Sequence, residues 1–150
     1  MFKKLQWLII GLAVSLNSFA ADGLINVASQ HAFDETADKL EKVLLDNGMT
    51  IFARVPHSSD ALKVNIELQP TELIIFGNPQ VGGKLMQCAQ TVAIDLPLKV
   101  LVWQDEAGGV WISYNDPEYL KARHDMATCD MQLKQVAGAL NKLTAAAVAE

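Results

Sequence analysis

The chain has 150 residues, 51% hydrophobic and 19% charged, with 17 acidic against 12 basic side chains and a net charge of −5. That length suits one domain around a single core. The acidic balance opposes nucleic acid and anionic membrane as partners, since both need a basic face that releases counterions.

At the amino terminus Lys3 and Lys4 precede an apolar stretch, Leu5 to Leu16, that is too short for a bilayer-spanning helix. Ser18 and Ala20 are the small residues that leader cleavage requires. A secretory signal over residues 1–20 is predicted, cut after Ala20, leaving a single domain over residues 21–150. No cysteine follows the cut to carry a lipid, and Lys-Lys stands where the folded-export route has twin arginine. The expected address is the bacterial periplasm, with no membrane partner once the leader is gone. Cleavage removes two of the 12 basic residues and none of the 17 acidic ones, which lowers the net charge from −5 to −7. In that oxidising compartment Cys88 and Cys129 are expected to pair, and closing the loop between them stabilises by ~4 kcal/mol on chain-entropy grounds.

Leu24 to Ala28 suits a first strand. Asp34 is placed to cap a helix whose Phe33, Ala37, Leu40 and Leu44 share one stripe, with Asn47-Gly48 as its stop. Glu35 with Lys39 and Asp38 with Lys42 read as a solvated face of that helix. Thr50 to Val55 alternates as a strand, with Ile51, Ala53 and Val55 on one side and His57 on the same side if the period continues past Pro56. Leu62 to Leu68 fits either an alternating strand or a short capped helix. Leu73 to Phe76 is a continuous apolar run, as in an interior strand, and Gly77-Asn78-Pro79 ends it. A helix follows whose stripe is Val81, Leu85, Cys88 or Ala89, and Val92. Leu98 to Gln104 and Val110 to Asn115 form a hairpin through Gly108-Gly109. A short helix after Pro117 and a last helix carrying Cys129, Leu133, Val136, Leu140 and Leu143 complete the chain. The fold class is therefore α+β, an antiparallel sheet of four to five strands with helices packed on one face.

The stretch Leu68 to Pro117 resembles the family known as domain of unknown function 302. The motifs are Pro70-Thr71-Glu72-Leu73-Ile74-Ile75-Phe76-Gly77-Asn78-Pro79, Leu85-Met86-Gln87, Asp95-Leu96-Pro97-Leu98 and Tyr114-Asn115-Asp116-Pro117. Similarity reaches back through Phe33, Gly48, Ala53 and His57 and forward to Arg123-His124. The resemblance implies a two-layer β-α-β-β-β-β-α core, related in shape to TATA-binding-protein-like folds. It also implies a short helix after His57, which favours helix over Ser59 to Asn65. The sequence departs from that family at Gly83-Lys84, where Thr-Pro is more usual. The family carries no established activity.

Function must come from the residues themselves. His57 and Asn78, polar residues at strand ends, are expected to converge at one edge of the sheet as a small-ligand site. Free backbone N–H groups over Gln80 to Gly83 would give that site a preference for anions. His124 and Met126 are the alternative metal ligands, in a run that continues to Cys129 and Met131; no cofactor is assigned. Asp95 and Asp116 are a carboxylate pair only if the fold brings them together. Trp103 and Trp111 are expected to pack across paired strands. No Gly-x-Ser-x-Gly elbow accompanies Ser58, Ser59 or Ser113. The expected function is a periplasmic small-ligand-binding or accessory domain. The alternatives are a hydrolase- or isomerase-like enzyme using His57 as acid or base, and a homodimeric structural module joined through a strand edge.

Overall fold

The computed structural model describes residues 23–150; the predicted leader and its cleavage site lie outside them. The strands are β1 (Leu24–Ser29), β2 (Thr50–Val55), β3 (Thr71–Gly77), β4 (Leu98–Gln104) and β5 (Val110–Asn115). They form one sheet in the order β1-β5-β4-β3-β2, antiparallel at every pairing. The helices are α1 (Phe33–Asp46), α2 (His57–Leu62), α3 (Pro79–Cys88), α4 (Pro117–His124) and α5 (Asp130–Val148), with 3₁₀ turns at Gln90–Asp95 and Ala127–Cys129. The architecture is α+β, and the implied β-α-β-β-β-β-α core is present with α2, α3 and α4 added to it.

Alternation puts Ile74, Phe76, Val100, Val102, Ile112 and Tyr114 on one face of the sheet, where they join Ala37, Leu40 and Leu44 of α1 and Leu133, Val136 and Leu140 of α5 in a single buried core. Burying each such Leu, Ile or Phe contributes about 1.5–3 kcal/mol. On the opposite face Leu73, Ile75, Leu101, Trp103 and Trp111 remain half-buried. Trp103 and Trp111 are partners in register, their ring centroids 6.3 Å apart.

Three local expectations are corrected. Helix α1 starts at Phe33 with Ala32 as its cap residue, and Asp34 lies inside the first turn. Ser29 sets that entry: its Oγ accepts from His31 N at 3.1 Å and lies 2.7 Å from Thr36 Oγ1. Asp38 does not pair with Lys42, which reaches Asp46 at 2.6 Å instead. It accepts from Arg54, whose guanidinium also binds Glu41 and grips Glu72 with two parallel bonds, tying α1 to the sheet.

The third correction concerns β2. Ile51 lies opposite Phe76 and Ala53 opposite Ile75, so Phe52 is an inserted bulge residue. The bulge shifts the alternation. Ile51 packs on the helical core, while Ala53 and Val55 turn to the other face. After Pro56 the chain enters α2 at once, two residues earlier than expected, with Asp60 N donating to Pro56 O at 2.9 Å. It leaves that helix through a turn at Asn65, whose φ is 61°. Leu62, Val64, Ile66 and Leu68 are exposed there and form no strand.

Candidate functional site

His57 and Asn78 do not converge. β2 and β3 run antiparallel, with Thr50 opposite Gly77 and Val55 opposite Leu73, so His57 leaves one end of the hairpin and Asn78 the other. The length of β2 separates them, about 20 Å at the rise of an extended strand. His57 is exposed at the first position of α2. Asn78 caps α3, its Oδ1 accepting from Gln80 N at 2.9 Å. The Asn78 carbonyl accepts from Val81 N and Gly82 N, both at 3.0 Å, so the backbone donors expected to attract an anion are engaged.

Asn78 nevertheless stands on the wall of an apolar cleft. The cleft has a volume of about 360 Å³, inside the range of small-molecule sites. Helix α3 forms one wall through Val81, Gly82, Gly83 and Met86, and the turn Leu96-Pro97-Leu98 forms the other. Phe52 closes the edge. Two motifs distant in sequence, Phe-Gly-Asn-Pro and Asp-Leu-Pro-Leu, thus meet at one place. Among the described residues that line it, Asn78 is the one polar side chain and none is charged. A second space of about 70 Å³ lies beside it, between α3 and α5.

Two features show how the sequence keeps this cleft open. The bulge in β2 turns Phe52 out of the regular alternation, and the residue is 56% exposed at the rim. Gly82 and Gly83 interrupt a helix at a combined cost of about 2 kcal/mol relative to alanine. Packing does not require them: a Cβ at Gly83 would meet nothing within 4 Å, and one at Gly82 would make ordinary contact with Leu96 at 3.8 Å. What the pair provides is bare backbone beside the cavity, where a ligand can approach closely.

The turn opposite α3 is braced from behind. His124 Nε2 donates to Asp95 Oδ2 at 2.6 Å, and Nδ1 lies 3.0 Å from Thr91 Oγ1; the imidazole is only 5% exposed. Arg123 adds a contact to Asp95 at 3.4 Å. Lys99 Nζ donates to the carbonyls of Asp95 and Pro97 at 3.1 and 2.9 Å. The Leu96-Pro97 peptide bond is cis. Cys88 and Cys129 form a disulfide with Cα atoms 6.2 Å apart, joining the end of α3 to the start of α5.

These bonds also place the remaining candidate residues. Both nitrogens of His124 have partners in Asp95 and Thr91, Met126 is buried in the core, and Cys129 is in the disulfide. Among the described residues no group of three or more His, Cys, Asp or Glu is arranged to hold a metal. Asp116 caps α4 through Glu118 N, so it and Asp95 serve separate partners. Ser58 bonds the backbone of Thr71, and Ser113 bridges Trp103 and Asn26. The cleft residues Phe52, Gly82, Leu96 and Pro97 were not foreseen as a site. The adjacent glycines inside a helical pattern were the available signal; the bulge leaves none in the local sequence.

Comparison with known proteins gives three results. The family profile described as "Domain of unknown function DUF302" matches residues 25–147. Two curated relatives are named "Fluoride-specific ion channel FluC 1", from Brucella suis biovar 1 (strain 1330) and Brucella abortus biovar 1 (strain 9-941). Each is 42% identical over 118 residues, 78% of this chain, and the match covers 46% and 44% of their respective lengths. The chain thus spans less than half of these relatives. A crystal structure of an uncharacterized conserved protein DUF302 from Bacillus stearothermophilus shares the fold, with a TM-score of 0.68 and 22% identity over 85% of this chain and 97% of that one.

Proposed function

The chain belongs to the family described as domain of unknown function DUF302, and from that premise we propose that it is an exported small-ligand-binding domain of the bacterial periplasm. The observation that carries this reading is the apolar cleft beside Gly82 and Gly83, where helix stability is given up and no internal contact replaces it. The preferred ligand is small, largely apolar and uncharged where it meets the protein. Lys3-Lys4, the apolar run after them and the Ser18-Ala20 pair support export.

A neutral fluorescent probe, N-phenyl-1-naphthylamine, tests this. Saturable binding at one probe per chain is expected for the native protein, with at least tenfold weaker binding in Gly82→Leu, whose side chain fills the cleft without a loss of helix propensity. Non-saturable binding, or equal affinity in the variant, would sink the reading.

The curated relatives favour a second reading, an accessory domain beside a membrane channel. Those proteins are more than twice as long as the matched stretch. No helix among the described residues here is long and apolar enough to cross a membrane. In this reading the chain attends a channel and takes no direct part in conduction. Calorimetric titration with sodium fluoride is expected to give no binding heat; a saturable heat would instead make this domain the anion receptor.

A further inference from the structure

The two cavities together constrain the shape of the ligand, a step that rests on the ligand-binding reading above. They share four wall residues, Gly77, Asn78, Val81 and Leu98. Behind that shared wall the smaller space lies between α3 and α5, against Val136, Ala139 and Leu143. Its 70 Å³ has room for several methylene-sized groups and none for a ring system joined to a second ring. The outer cleft is five times larger and adaptable, since Met86 and the exposed Phe52 form part of its rim. A broad apolar cleft that shares a wall with a thin apolar space suits a flexible chain, whose end can part that wall at Val81, better than a rigid polycycle.

Charge defines the other end of the ligand. Among the described residues none that lines either space is charged. Lys84, the only charged residue of α3, is two positions from Gly82 and so lies on the opposite side of the helix. The protein therefore grips the apolar body and leaves a polar head in water. We infer that the cleft takes the alkyl chain of a single-chain amphiphile, its terminal carbons reaching between α3 and α5 and its head group remaining in solvent.

The experiment is displacement of N-phenyl-1-naphthylamine from the full chain by straight-chain 1-alkanols, from butanol to decanol. Each carbon that enters the protein tightens binding about fourfold. In the native protein this gain continues until both spaces are filled, then flattens. Ala139→Phe fills the inner space and is expected to flatten the series at a shorter chain while leaving the affinity for butanol within twofold. Val81→Ala, at a half-exposed wall position that tolerates truncation, is expected to strengthen decanol relative to hexanol. Flattening at the same chain length in the native protein and both variants overturns the inference and leaves the cleft as a site for compact ligands. Failure of every alkanol to displace the probe overturns the inference as well; failure of the probe itself to bind overturns the ligand-binding reading beneath it.

Discussion

Asp105 closes the β4–β5 hairpin with a single carboxylate. It accepts from Trp111 Nε1 at 2.8 Å and from Gly109 N at 2.7 Å. The Trp111 bond first, and the Gly109 bond after it, hold its pKa below the ordinary aspartate value. The unfolded chain therefore binds this proton more readily, so the stabilisation is complete above the unfolded carboxylate pKa and is lost as pH falls through the folded one. Trp111→Phe is expected to move the Asp105 pKa back upward in a carboxyl NMR titration; an unmoved pKa would assign the whole effect to backbone donors. Residue-scale reading from sequence placed the α1 cap at Asp34, which lies inside the first turn, and did not name Asn78 and Asp116, each before a proline, as the caps of α3 and α4. It failed for His57, whose relation to Asn78 depends on strand direction, and for Asp95 with His124, which are 29 residues apart and meet only in the fold.

At the scale of elements, α3 departs most from what its own sequence prefers. Gly82→Ala and Gly83→Ala are each expected to raise unfolding stability by up to about 1 kcal/mol, because alanine favours helix and neither Cβ meets an obstacle. Urea denaturation reads this directly, and a loss of stability would show that the glycines serve packing. The strands β3, β4 and β5 were legible because their apolar residues are continuous or strictly alternating. β2 was legible in extent and not in facing, since a single inserted residue reverses every side chain after it and leaves the composition unchanged. The segment Leu62 to Leu68 alternates without being a strand: periodicity records which side chains could share a face, and no neighbouring strand pairs with these.

For the molecule as a whole, the disulfide closes a loop of 41 residues that contains the braced turn, β4, β5 and α4. A Cys88→Ser, Cys129→Ser double variant is expected to lose about 4 kcal/mol on chain-entropy grounds, measured by denaturation of the native and double-serine proteins under identical conditions. A loss below about 1 kcal/mol would mean that the unfolded chain is already compact across that loop. Sequence alone supplied only the expectation of an oxidising compartment and of helices bearing the two cysteines, of which Cys129 lies in the 3₁₀ turn just before α5. It could not give their approach, because the helix positions depend on how α3 and α5 pack against the sheet and each other.

The tryptophan pair lies at the far end of β4 from the cleft. Trp103 is opposite Thr71, whereas the cleft begins where Leu98 meets Phe76, five residues and about 17 Å away along the strands. The two indoles are fixed by Ser113 and Asp105 and take no part in lining either cavity. Their emission is thus an internal clock for the integrity of the hairpin, blind to simple occupancy of the distant site. A ligand that does not absorb their light and yet alters it must be changing the sheet itself, so with such ligands this emission separates a filled protein from a deformed one.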